Sequence, residues 1–420
     1  MPTDPSAPQG PAGHDPAERR LAVFDHRRGR QLGYLGAGLT LLLAALLIGG
    51  EIASLAQSGR MSASVDFYVF WAAAKLALQD LPLEAFDATR IAAVAGVDQQ
   101  GWMPWAYPPG FLMLVAPLGL LPFAQAWAVF TLASIAALTA ATRPFAGGRG
   151  PVLCAAALAP AMLPCLLVGQ TSLLWLAGLM AALAALYGNR PVLAGLFIGL
   201  LTLKPQLGLL LPFALAGAGQ WRAIAAAAVT ALALAALSTA IYGTAYWPEM
   251  LAMLDQHGDT VRGSIAGLTL MISPYSGLAA LGLPEPAALA LQWGLAACLA
   301  LAVFLAWRRP DLPFDLRAAL LLVSIPLASP YLWHYESAVL APAALFMLRA
   351  GVIAPHHPPG LVLGLAMWLG LGPSALMLLN TGAADIFRPV FLPIALAAAL
   401  VCLRHAFVPR GPAALSDPTQ

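Results

Sequence analysis

Long apolar runs, cut by short turns rich in Gly, Pro and Arg and lacking any two-residue alternation, dominate the chain. Runs of this length predict helices that cross a bilayer. Twelve can be marked off: about 32–56, 123–142, 151–168, 172–188, 191–203, 205–217, 223–242, 287–307, 318–332, 337–348, 360–379 and 387–403. The fold class expected is therefore an all-α polytopic membrane protein with about 12 transmembrane helices. A tail at 1–31, unstructured and cytoplasmic, would precede a single membrane domain at 32–407, and a second cytoplasmic tail would follow at 408–420. The first run is longer than a signal-peptide core and leads to no small-residue cleavage pattern, so it reads as a retained helix.

Two connections are too long for turns, about 57–122 and 243–286. In the first, Phe67, Phe70, Trp71, Ala74 and Leu78 recur at helical spacing, which predicts a short helix lying in the outer interface. The apolar run from Ala106 to about Leu118 is then a re-entrant or interfacial segment.

Composition sharpens this picture. Of 420 residues, 60% are hydrophobic and 10% charged, against about 25% charged in a soluble domain. Fifteen of the 21 Lys and Arg residues fall on the side that holds the N-terminal arginines Arg19, Arg20, Arg27, Arg28 and Arg30, while twelve of the 19 acids fall on the other. By the positive-inside rule both termini face the cytoplasm and the long connections face outward, as in a multi-pass protein of the cytoplasmic (inner) membrane. The net charge of +2 gives no reason to expect nucleic acid as a partner. The four cysteines lie within apolar runs and read as core residues, and no Walker loop or dinucleotide fingerprint is present.

Polar residues in such a chain are costly unless they face water or a cavity, so their positions carry the functional signal. Asp66 heads the interfacial helix, where it either favours the helix N-terminus or serves as a base. Lys204 precedes Pro205 between two short apolar halves and either reaches the interface or offers a cation to an anion held there. His334 and Glu336, accompanied by Tyr331 and Tyr335, end a further run. The second long connection adds Asp255-Gln-His-Gly-Asp and Arg262, a glycine-containing polar loop that is either merely solvated or a metal ligand set. His356 and His357 lie in a cytoplasmic turn and look incidental. A carboxylate, a lysine, histidines and an arginine over a large apolar body is what a lipid-linked phosphate donor would require.

The run from Val65 to Asp87 that opens Val-Asp-Phe-Tyr-Val-Phe-Trp, then Tyr107-Pro-Pro, Leu203-Lys-Pro-Gln and Trp333-His-Tyr-Glu, resembles the polyprenyl-phosphate-mannose-dependent mannosyltransferases of glycosyltransferase family 87. The resemblance implies the C-type membrane glycosyltransferase fold and an inverting transfer of a sugar, most often mannose, from a polyprenyl monophosphate to a hydroxyl of a glycan or glycolipid acceptor. It implies Asp66 as base, with Lys204 and His334 at the donor phosphate, and Arg262, at the same outer face, is expected to join them there. Tyr107, Gln206, His257, Tyr335 and Glu336 would line the substrates, and neither metal nor cofactor would be needed. The Asp255–Asp259 stretch departs from the Asn- and Gln-rich pattern such enzymes show there, which bears on the acceptor. A transporter or lipid flippase is the rival reading, and a membrane scaffold without catalysis a third. A transporter would place broken helices at the midplane in related repeats, whereas Lys204-Pro205 is a single break without a second copy.

Overall fold

The computed structural model describes residues 16–59, 66–96, 105–381 and 385–408; residues 1–15 and 409–420 of the expected tails, the latter including Arg410, lie outside them, as does Arg60. Among the described residues every regular element is helical, apart from one isolated bridge between Met271 and Trp333.

Among the described residues six helices are long and apolar enough to cross a membrane: Arg27–Ser58, Phe123–Phe145, Gly150–Val168, Trp221–Tyr242, Glu285–Trp307 and Phe387–Phe407. Of the about twelve spans expected, these six are met at full length. The other runs are helical but shorter, for identifiable reasons. Pro205, which has no N–H to donate, divides Pro191–Leu203 from Pro205–Gly217. Gly370, at a φ of 50°, ends the Pro358–Leu369 helix. Ser172–Tyr187, of 16 residues, is about 24 Å long.

Some of the short helices form the centre of the bundle. Phe314–Ala328 is buried at every position from Ala318 to Ala328, which explains why its sequence has no polar face. Leu340–Arg349 packs beside it, and together they carry chemistry at both ends. At one end a buried ion pair joins Arg349 Nε to Asp315 Oδ1 at 2.9 Å, and Arg349 also donates to the Phe145 carbonyl. Arg20 donates to the Arg349 carbonyl and Arg149 pairs with Asp25, so the stretch expected as a loose tail is ordered from Pro16 onward, with Leu21 fully buried.

The opposite end holds the long connections. The helix read from the spacing of Phe67 and Leu78 is there, and the chain itself covers its apolar face: Phe67, Phe70 and Ala74 are 0–1% exposed. Ala116–Leu120 crosses it so closely that a Cβ on Gly119 would lie 2.9 Å from the Ala74 carbonyl carbon. Trp105, Phe111, Phe123 and Trp127 wrap the remaining sides. The second connection contains a 19-residue helix, Tyr246–Ser264, where a glycine-containing loop was expected.

Candidate active site

A cavity of about 930 Å³ opens at the end of the bundle formed by the long connections. Asp66, Tyr107, Lys204, Gln206, His257, Arg262, His334, Tyr335 and Glu336, which come from five separate segments of sequence, all line it.

Asp66 lies one residue before the Phe67–Leu78 helix but makes no side-chain cap to it. Its Oδ2 instead accepts a 2.8 Å hydrogen bond from Gln170 Nε2. The contact is set by Gly169. This glycine ends the Leu163–Val168 helix at a φ of 66°, and a Cβ there would sit 2.6 Å from Phe67 Cβ and 2.9 Å from Trp127 Nε1. Only a glycine lets the two segments approach so closely, and the approach places Gln170 opposite Asp66. Burial pushes the Asp66 carboxyl up to about 6, against the pull of the Gln170 hydrogen bond and the Lys204 charge.

Lys204 occupies the break before Pro205 at φ −135° and ψ 74°, outside the α region that a following proline disfavours. Its side chain is 4% exposed, and its ammonium donates to Glu336 Oε1 and to Ser172 Oγ, each at 3.1 Å, and lies 4.8 Å from the Tyr335 ring centroid. Glu336 Oε2 accepts from the Trp333 N–H at 2.7 Å, so the buried carboxylate is satisfied on both oxygens. An ammonium has three donors. Two are used by protein, which leaves one.

His334 is held by its neighbour strandlike segment: its N–H donates to the Leu270 carbonyl, and Ile272 N–H to the Leu332 carbonyl. Arg388 anchors this pairing from the Phe387–Phe407 helix, donating to the carbonyls of Ala266, Met271 and Ser276. The imidazole lies between the Tyr335 and Phe387 rings, and burial pushes it down to about 4, so it is neutral at pH 7. Its Nδ1 has no hydrogen-bond partner among the described residues.

The Asp255/His257/Asp259 set is separated by the helix it sits on. His257 turns inward, 2.7 Å from the Tyr331 hydroxyl, while Asp255 and Asp259 are exposed; residues two apart on a helix do not share a face. Arg262 pairs with Asp259 one turn away at the cavity rim. Gln206 lines the wall beyond Pro205, and His356 and His357 are exposed at the far end.

Gln170 was not singled out in the sequence, yet it is the hub of the polar network, with Nε2 also 3.0 Å from the Tyr107 hydroxyl and 3.3 Å from that of Tyr335. Its signal was the polar run Gln170-Thr-Ser at a turn between two apolar segments.

The cavity combines the Asp66 carboxylate, the buried Lys204–Glu336 pair and the imidazoles of His257 and His334 with aromatic and aliphatic walls. Residues 105–330, more than half of the chain, match the sequence profile of Glycosyltransferase family 87. The chain belongs to that family. No curated protein and no solved structure matches it. Membership in glycosyltransferase family 87 makes this a sugar-transferring enzyme, and its apolar helices make it a multi-pass membrane protein. The matched segment includes Tyr107, Gln170, Lys204, Gln206, His257 and Arg262; Asp66 and the His334–Glu336 motif meet them through the fold.

Proposed function

We propose that this glycosyltransferase moves a sugar, mannose by its resemblance, from a polyprenyl monophosphate to a hydroxyl of a glycan or glycolipid, at the outer face of the cytoplasmic membrane and with both termini inside. The observation that carries the reading is the convergence of Asp66, Lys204 and His334 on one cavity whose other flank is apolar. That flank is formed by Leu234 and Ala235 of the Trp221–Tyr242 helix and by Leu289 and Trp293 of Glu285–Trp307, both of which present exposed apolar residues outward. A lipid chain can lie there with its phosphate toward Lys204.

In a single displacement the acceptor hydroxyl attacks the anomeric carbon opposite the phosphate. Asp66 takes the hydroxyl proton, the new C–O bond forms, and the bond to the phosphate oxygen breaks with its electron pair leaving on the phosphate; the anomeric configuration inverts. The leaving group gains a negative charge. The free ammonium donor of Lys204 is the group suited to meet it, with Arg262 at the rim and His334 contributing as a neutral imidazole. Tyr107, Gln206, His257, Tyr335 and Glu336 shape the space for the two sugars.

Asp66→Asn tests this. It preserves shape and removes the base, so transfer should fall about 10²- to 10⁴-fold while binding of the donor survives. Turnover above a third of wild type removes Asp66 from this role.

A further inference from the structure

The polar network around Asp66 contains a residue with no part in the displacement itself, and its geometry leaves it little freedom. Gln170 Oε1 is 2.7 Å from the Thr171 backbone N–H, which can only donate. That contact fixes which end of the amide is the oxygen, and the NH₂ end must then point at Asp66 Oδ2, 2.8 Å away. One oxygen of the carboxylate is thus occupied by a donor that cannot take its proton. The other accepts no hydrogen bond among the described residues. Gly169 locks the backbone on one side of Gln170, and Thr171 leads directly into the Ser172–Tyr187 helix on the other.

We infer that Gln170 is the positioning residue of the transfer reaction, aiming the free oxygen of Asp66 into the cavity and holding the carboxylate in its charged form. The inference rests on the reading of Asp66 as the base. The groups facing Asp66 are Tyr68 from its own helix, Tyr107, Lys204, and Tyr331, Tyr335 and Glu336 from the segment after Phe314–Ala328. Of these, Lys204 favours the charged form and Glu336 opposes it, and those two are paired with each other. Their fields oppose each other at Asp66, and the Gln170 hydrogen bond favours the charged form more than the Lys204 charge does. The tyrosines are neutral at pH 7. Gln170 is left as the neighbour that distinguishes carboxylate from carboxylic acid, since an amide N–H bonds the former far better.

The test uses the full chain in lipid nanodiscs, with Gln170→Leu to remove the donor and Gln170→Asn to withdraw it by one bond should the leucine variant fail to fold. Infrared difference spectra against Asp66→Asn give the protonation midpoint of Asp66 without turnover, and the pH profile of transfer from a polyprenyl-phosphate sugar gives the kinetic limb. Loss of one hydrogen bond to a charged group should move the Asp66 midpoint upward by about one to two pH units. Transfer should fall about tenfold at pH 6.5 and largely recover above pH 8, with KM for the donor within twofold. A midpoint unmoved in both variants overturns the inference. If the midpoint moves and the pH profile of transfer does not follow it, Gln170 keeps its hold on the carboxylate and the reading of Asp66 as base is what fails.

Discussion

Replacing Gly169 by alanine perturbs the candidate site without touching any polar group in it. Two costs can be worked from the geometry. The residue sits at a φ of 66°, where a Cβ strains the backbone by about 1–2 kcal/mol. The new methyl would also lie 2.6 Å from Phe67 Cβ and 2.9 Å from Trp127 Nε1. Neither neighbour is a flexible tip: Phe67 Cβ is tied to the backbone, and its ring stacks on Trp127 with centroids 6.0 Å apart. Relief requires the Phe67 segment to retreat by about 1 Å, to ordinary carbon contact, and overpacking of this kind costs about 1–3 kcal/mol. Asp66 moves with Phe67. A displacement of about 1 Å in a reacting group costs on the order of 10²-fold in rate, so Gly169→Ala should lose about 2–5 kcal/mol of stability and about two orders of magnitude in transfer. Gly148→Ala is the control, because its φ is 73° but its Cβ would meet nothing within 4 Å. It should show the backbone cost alone and transfer at the wild-type rate. Thermal unfolding and initial rates on both variants decide the matter. Gly169→Ala with activity within threefold of wild type would refute the claim that this glycine sets the position of Asp66.

Lys204→Met should destabilise the protein by about 3–5 kcal/mol, since it strands the buried Glu336 carboxylate, and Lys204→Met/Glu336→Gln should recover most of that stability while transfer stays about 10- to 100-fold down; recovery of both together would deny Lys204 a part in the reaction. The rate of transfer should rise with pH through about 6 as Asp66 ionises, with no second step from His334, which is already neutral there. Because the folded-state value of Asp66 is raised, its ionised form costs stability, and wild type should gain thermal stability relative to Asp66→Asn as pH falls through about 6; the opposite trend would contradict the burial of this carboxylate.

Much of the local structure was legible from spacing. The Phe67–Leu78 helix follows from its apolar positions, and Pro205 announces the break that carries Lys204. What spacing could not give is what covers an element. The cover of the Phe67–Leu78 helix, Ala116–Leu120 and the rings of Trp105 and Phe111, is supplied by chain far from it in sequence, so its spacing alone does not show that it is enclosed. Lys204 reads as a free cation because Glu336, its partner, lies 132 residues on. Gly258 reads as a loop signal in the second connection, but the Arg262 side chain lies over it, and a single glycine is tolerated inside the Tyr246–Ser264 helix at a cost of about 1 kcal/mol. Gln170 was hidden for another reason. An amide has no charge to stand out in a scan for titratable groups, and only the fold shows that three of them meet it.

The central claim is an inverting displacement from a lipid-linked phosphate. The purified protein in nanodiscs, given a synthetic polyprenyl-phosphate mannose labelled at the anomeric carbon and a membrane glycolipid acceptor, should yield a product whose anomeric configuration, read by the carbon–hydrogen coupling of the labelled position, is opposite to that of the donor. A product of retained configuration would contradict the single displacement assigned to Asp66, and a sugar delivered from a nucleotide donor but never from the lipid-linked one would contradict the donor class.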